Sequence, residues 1–414
     1  MIPFSSFTLA NGLRVLVHED PTVDIAVMNI LYDVGSRDEH PDKTGFAHLF
    51  EHLMFGGSVN IPSYDEPLQR VGGENNAFTN TDITNYYLTV PASNLETGFW
   101  LESDRMLSLS FEPKALEVQR NVVVEEFRQR YLSQPYGDVW LKLRPLAYHK
   151  HPYQWATIGK EIAHIENANM DDVKDFFFRF YRPNNAILVV AGKVTHDQVA
   201  AMSEKWFGPI PPGSIPSRKL PAEPVQMEKR VLDTSSAVPA DALYKAYHMP
   251  GRFHPDYYAV EMLNDILCNG QSSRLIHKLV KEKEVFTSLS SHTLGSLDPG
   301  LWVVSGRVNQ GRSLIDAEKE IDQLLQNVVA HGVRESELNK VKNQAESLMA
   351  FDEVDVMNRA MNLAFAALSG DANRVNHEAD MIRAVTTLDI QRMAGEIFRE
   401  SNSSVLYYRA DPKQ

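Results

Sequence analysis

The chain has 414 residues, of which 43% are hydrophobic and 23% charged; these are the proportions of an ordinary globular protein, and the length is more than one typical domain accounts for. A formal net charge of -13 argues against nucleic acid or an anionic membrane surface as the main partner. The single cysteine, Cys268, excludes an internal disulfide and a multi-cysteine metal site, and no apolar run is long enough to span a bilayer. The opening residues M-I-P-F-S-S-F have neither a basic n-region nor an apolar h-region. The expected compartment is therefore the bacterial cytoplasm, with the periplasm as the alternative if a leader precedes this sequence.

In chain order, residues 7–19 read as a hairpin, because Asn11-Gly12 is a strong turn signal between two apolar runs. Residues 24–34 read as a third strand. Residues 76–90, rich in β-branched and aromatic side chains, read as one or two more. Residues 94–108 and 113–131 read as helices, the second opening on Pro113, where a first-turn proline is tolerated. A strand at 185–190 and a helix at 195–206 follow. Residues 208–224 then hold six of the 22 prolines and read as a semi-rigid linker. A second series repeats the theme: strands near 242–248, 287–293 and 301–308, helices at 257–267 and 273–281, several helices across 314–398, and a last strand at 404–408. The two halves end alike. Phe180-Tyr-Arg-Pro-Asn-Asn-Ala-Ile-Leu188 and Ile397-Phe-Arg-Glu-Ser-Asn-Ser-Ser-Val-Leu406 share an aromatic-Arg step, an Asn and a closing strand. With the linker between them, this reads as a duplicated domain, 1–207 and 229–414, joined by 208–228.

The chemistry concentrates in residues 45–57, G-F-A-H-L-F-E-H-L-M-F-G-G. As a helix, this stretch puts His48, Glu51 and His52 at i, i+3 and i+4 on one face. Phe46, Leu49, Phe50 and Leu53 fall on the opposite face and can seat it on a core. Neutral imidazoles suit zinc, and a catalytic zinc keeps three protein ligands and a water. A carboxylate between the two histidines can reach that water, which the metal makes acidic. H-x-x-E-H is the reverse of the commoner H-E-x-x-H motif. The plain alternative is two surface histidines beside a salt-bridging glutamate. A third ligand must come from elsewhere, and the candidate is Glu126 in Q-R-N-V-V-V-E-E-F. Gln119, Val122, Val123 and Glu126 share a helical face, while Glu125 points about 100° away.

Here the chain resembles the pitrilysin-type zinc peptidases, the inverzincins, which include insulin-degrading enzyme and mitochondrial processing peptidase. H-L-F-E-H-L-M-F matches the zinc helix, and R-N-V-V-V-E-E matches the stretch carrying the third ligand, which the resemblance assigns to Glu126. N-A-F-T-N-T-D-I-T-N-Y-Y, from Asn76, matches the edge strand along which substrate lies. H-P-Y-Q-W-A-T-I-G from His151, S-S-R-L from Ser272 and D-P-G-L-W from Asp298 match further family stretches. The resemblance covers nearly the whole chain, whose length is that of the short bacterial members.

The resemblance implies an α+β fold: two related domains, each a mostly antiparallel sheet with helices packed on one face, together half of a clamshell. It implies one Zn(2+) per chain held by His48, His52 and Glu126, and Glu51 as general base on the zinc-bound water. The expected function is a zinc-dependent endopeptidase subunit acting on extended or unfolded peptides. Asn76, Ala77, Phe78 and Thr79 would bind the peptide by main-chain pairing. A non-catalytic structural or assembly subunit is the rival reading.

Two departures from the family stand out. A glutamate often found seven residues before the third ligand is Gln119 here, which bears on the tuning of the metal. Active single-chain members carry an arginine and, seven residues on, a tyrosine that hold substrate from across the cleft; Val280 and Thr287 occupy those places. Arg274, Lys281 or Phe286 could substitute only by a register shift. The expected partner is therefore a related chain lacking the zinc motif, in a heterodimer, with a homodimer as the alternative. No nucleic acid and no membrane span are expected.

Overall fold

The structure, a computed structural model, describes residues 1–214 and 218–411. Residues 215–217, within the expected linker, lie outside them. The chain forms two compact units, each discontinuous in sequence. The first comprises residues 1–129, 155–220 and 349–377; the second comprises 130–154, 221–348 and 378–414.

The first unit is built on six strands: β1 (Ser5–Thr8), β2 (Arg14–Glu19), β3 (Ile25–Tyr32), β4 (Glu74–Thr79), β5 (Thr84–Pro91) and β6 (Ala186–Gly192). Their order across the sheet is β1-β2-β6-β3-β5-β4. All pairs are antiparallel except β2 with β6. Asn11-Gly12 does turn the first hairpin, with Gly12 at a positive φ and its N–H on the Leu9 carbonyl. The 76–90 stretch resolves into two strands, β4 and β5, with β4 at the free edge of the sheet.

The second unit repeats this arrangement with five strands: β7 (Arg230–Ser236), β8 (Ala242–Met249), β9 (Phe286–Leu294), β10 (Gly300–Val308) and β11 (Ser403–Ala410). Their order is β7-β11-β8-β10-β9. Only β7 and β11 run parallel. Strand for strand this copies β2-β6-β3-β5-β4. The closing strands that the sequence paired by likeness, β6 and β11, occupy the same place. β7, absent from the sequence reading, is the partner of β11. Residues 273–281, expected as a helix, form a π-helical turn at Ile276–Glu282, and the helix from Pro113 ends at Phe127 before another such turn, Arg128–Leu132.

Beyond the helices expected on one face, each sheet has its opposite face closed by a helix from the other half of the sequence. In the first unit the helix Val356–Leu368 lays Val356, Ala360, Leu363 and Ala364 on Val27, Leu31, Ile187 and Val189. This is why β6 is buried at every position and reads as an unbroken apolar run. In the second unit the helix Val139–Ala147 packs Val139, Leu143 and Ala147 against Ala246, Leu301 and Leu406. The expected linker is anchored at both ends. Arg218 forks onto Asp33 and Asp38 of the first unit, with Nε 2.6 Å from Asp38 Oδ1. Glu223, in the second, accepts the backbone N–H groups of His149, Lys150 and His151.

Candidate active site

The H-x-x-E-H stretch is a helix, Phe46–Leu53, with Gly45 at its N-terminus. Gly45 has φ 88°, and a Cβ there would meet Ile165 Cδ1 at 2.5 Å and the Ile158 carbonyl at 2.6 Å, so only glycine makes this entry. Phe46, Ala47, Leu49, Phe50 and Leu53 are buried. Phe50 lies between Phe176, at 5.0 Å between ring centroids, and Tyr181, stacked at 5.2 Å. Tyr86 donates its hydroxyl to the Phe50 carbonyl, which also accepts the Met54 N–H at the helix end. Beneath lies a closed ion pair: Arg105 forks onto Glu102 at 2.9 and 2.7 Å, among the rings of Phe55, Tyr64 and Tyr86. Burial of the apolar face turns the other face outward, and with it His48, Glu51 and His52.

Glu126 arrives from the helix Pro113–Phe127, which packs on the motif helix. Val123, Val124 and Phe127 are buried and fix its rotation. Glu126 Oε2 lies 3.6 Å from Nε2 of His48 and 3.6 Å from Nε2 of His52. The two imidazoles stand perpendicular, 4.9 Å apart. One donor atom from each of the three residues can be chosen so that all lie within 4.8 Å of one another. Donors about 2.1 Å from a tetrahedral zinc stand about 3.4 Å apart, so the set fits that ion. Among the described residues it is the one group of three or more such side chains that could hold a metal.

Glu125 lies on the exposed side of the same helix, where the Gln129 amide donates to it at 2.9 Å. Gln119 is half-buried two turns before Glu126. Glu51 is not one of the three donors. Burial pushes its carboxyl up from the ordinary range; hydrogen bonding from Thr79 and the nearby His52 pull it back, and Glu126 adds to the rise. A carboxylate held ready to take a proton has this character.

β4 runs beside the motif helix, and its side chains alternate outward and inward from Glu74 to Thr79. Asn76 and Phe78 are exposed, while Ala77 and Thr79 are half-buried. The Ala77 N–H turns to the Asn76 side chain, at 2.8 Å, which puts this donor on the free side of the strand. In the second unit, Val280 lies on the π-helical turn and Thr287 at the start of β9. Thr287 donates its hydroxyl to the Arg307 carbonyl. Arg274 is committed to Glu337 by a fork of 2.9 and 2.8 Å, which pulls the Glu337 carboxyl down to about 2. Lys281 is exposed.

Glu39 was missed in the sequence. Its buried carboxylate accepts the N–H of Gly45 at 2.9 Å and of Ala47 at 2.8 Å, capping the motif helix from outside. The available signal was a helix start with no capping side chain of its own and no acidic residue in its first turn.

A sheet-and-helix unit presenting H-x-x-E-H on a short helix, with a carboxylate brought to it by a second helix, defines the class as the zinc peptidases of inverted motif. The chain belongs to peptidase family M16, the insulinase family. The family model "Insulinase (Peptidase family M16)" matches residues 14–161, and "Peptidase M16 inactive domain" matches residues 167–345. The chain is 29% identical to the zinc protease PqqE of Helicobacter pylori, over 98% of this chain and 92% of that protein. It is 26% identical to the probable mitochondrial-processing peptidase subunit beta of Schizosaccharomyces pombe, over 96% and 88%. The crystal structure of a protease from Helicobacter pylori superposes with a TM-score of 0.94 at 28% identity, covering 99% of this chain and all of that one. No helix among the described residues is long and apolar enough to cross a membrane.

Proposed function

We propose that this protein is a zinc endopeptidase subunit that cuts extended or unfolded peptides. The supporting observation is the convergence of His48, His52 and Glu126 donor atoms within 4.8 Å, from two separate helices, with a second carboxylate, that of Glu51, beside them. When bound, one zinc per chain supplies Lewis acidity toward the scissile carbonyl and lowers the pKa of water. His48, His52 and Glu126 hold it, and Gln119 lies behind the third of them. Glu51 takes the proton of the attacking water and returns it to the leaving amine. Substrate lies along β4, where Asn76, Ala77, Phe78 and Thr79 present a strand edge that reads backbone rather than sequence. On this reading, residues 1–207 are the zinc-binding catalytic domain and residues 229–414 the related substrate-cleft domain without metal.

Val280 and Thr287 supply neither an arginine nor a tyrosine, and of the possible substitutes Arg274 is occupied by Glu337 while Lys281 is exposed. This favours a heterodimer, whose related partner chain supplies an arginine and a tyrosine, over a homodimer. The bacterial cytoplasm is the proposed compartment, the periplasm the alternative. Glu51→Gln keeps the shape of the site and removes the base. The variant should retain zinc while hydrolysis of a quenched unstructured peptide falls by at least about 100-fold. Hydrolysis at the parent rate would defeat the reading. Adding the related chain should raise the parent rate, and full activity of this chain alone, unaffected by that addition, would remove the heterodimer.

A further inference from the structure

The two sheets correspond strand for strand except at one margin. In the first unit β1 pairs with the outer edge of β2. β7, which holds the place of β2 in the second unit, pairs with β11 and, among the described residues, with no other strand. An uncovered strand edge is a template for another strand, and proteins ordinarily blunt it by shortening it or by lining it with polar and charged side chains. β1 is only four residues long, and β9 exposes the polar Thr287, Ser288 and Ser290. β4 is taken by the peptide in the function proposed above. β7 runs for seven residues and puts an apolar side chain at its exposed positions: Val231, 49% exposed, stands there with Asp233 and Ser235. Val225 and Met227, just before the strand, are exposed as well.

The order of charges along this edge selects its partner. A second β7, turned on a twofold axis through Val231, runs antiparallel to the first. Val231 then faces Val231, and Lys229 faces Asp233 on both sides of the axis, the opposite-charge pairing that stabilises neighbouring strands. Lys229 Nζ already lies 2.7 Å from Glu318 Oε1, and Arg409 Nε 2.7 Å from Asp233 Oδ1. The pairing links these into a row of alternating charge, Glu318, Lys229, Asp233, Arg409. Centring the axis on Arg230 or Asp233 opposes like charges, and centring it on Leu232 sets Val231 against Asp233. We propose that two copies of this chain associate through β7, antiparallel about Val231, joining two five-stranded sheets into one. This contact is separate from the related chain proposed above as the source of an arginine and a tyrosine.

The test is sedimentation of the purified full chain, alone, at roughly tens of micromolar, where a small interface is populated. The parent should sediment at twice the mass of one chain. Val231→Glu and Val231→Lys each place like charges at the axis and should each weaken association at least about tenfold. Mixed one to one, the two variants should recover the dimer, because the mixed pair sets opposite charges there. A monomeric parent overturns the proposal. So does a dimer that survives in both variants, or a mixture that stays monomeric. Cross-linking gives a reading that does not depend on those variants folding. Residues facing each other in an antiparallel pair have Cα atoms about 4.5–5.5 Å apart, within reach of a disulfide. Oxidised Val231→Cys should therefore form a covalent dimer above the parent background from Cys268, and Asp233→Cys should not. Equal cross-linking of the two would overturn the register.

Discussion

Replacing Phe50 by Ala asks how much of the metal site is held from behind. Phe50 is fully buried on the face of the motif helix opposite His48 and His52, between Phe176 and the stacked ring of Tyr181. A buried aromatic ring removes about 150–200 Å² from water, which at roughly 25 cal/mol per Å² is about 4–5 kcal/mol. Phe-to-Ala changes in closed cores cost about 3–5 kcal/mol, cavity included, so the two figures agree. That is about a fifth or more of the stability of a typical domain. At about 2–4 °C per kcal/mol, the unfolding midpoint of the metal-free protein should fall by about 6–20 °C. Phe50→Leu refills most of the volume and should cost about 1–2 kcal/mol. Zinc affinity should follow the same order, parent above Leu above Ala, because the helix that loses its seat also loses the alignment of its ligands. Scanning calorimetry and chelator competition read the two quantities separately. A Phe50→Ala protein that melts within about 1 °C of the parent and binds zinc equally would refute the argument that this aromatic seat orients the motif.

Glu126→Ala should strip most of the zinc measured by elemental analysis, while Glu125→Ala should leave it, because Glu125 sits on the exposed side of the helix with Gln129; full zinc in Glu126→Ala would move the third ligand elsewhere. Ala77→Pro should raise KM for an unfolded peptide with zinc content unchanged, since it deletes an N–H already turned away from β5. Phe78→Pro should instead damage the fold, because alternation points its N–H at the inner ladder; equal behaviour of the two variants would deny that β4 binds by its edge. Arg274→Ala should cost about 1 kcal/mol at pH 7, discounted for solvent screening. Glu337 is depressed to about 2 from an ordinary 4.5, so its contribution is complete above pH 4.5 and lost as pH falls toward 2. The difference between parent and variant in urea midpoint should therefore shrink over that window, and a difference constant from pH 7 to pH 2.5 would remove Glu337 as the partner that matters.

What the sequence determined by itself was local. His48, Glu51 and His52 could be placed together because i, i+3 and i+4 share a helical face whatever the rest of the chain does, and the Phe46, Leu49, Phe50, Leu53 stripe said which side would be covered. Asn11-Gly12 marked its own turn, and the likeness around β6 and β11 disclosed a repeat. Long-range facts had no such signature. Periodicity alone could put Glu126 on a helix but not against His48; resemblance named it, and the packing of two helices brings the three donors together. Glu39 sits only a few residues upstream, yet its role depends on a buried turn that closes after Gly45 adopts a positive φ. β7 is a short alternating stretch whose partner, β11, lies at the far end of the chain. Helix 139–147 is absent from the sequence reading and 356–368 is one of several expected across 314–398, and an apolar stripe does not say which sheet it will cover. Each ended on the sheet of the other half, because the exposed apolar face left open in each repeat accepts any helix of the right shape that the chain can deliver, and only the tertiary structure decides which one arrives.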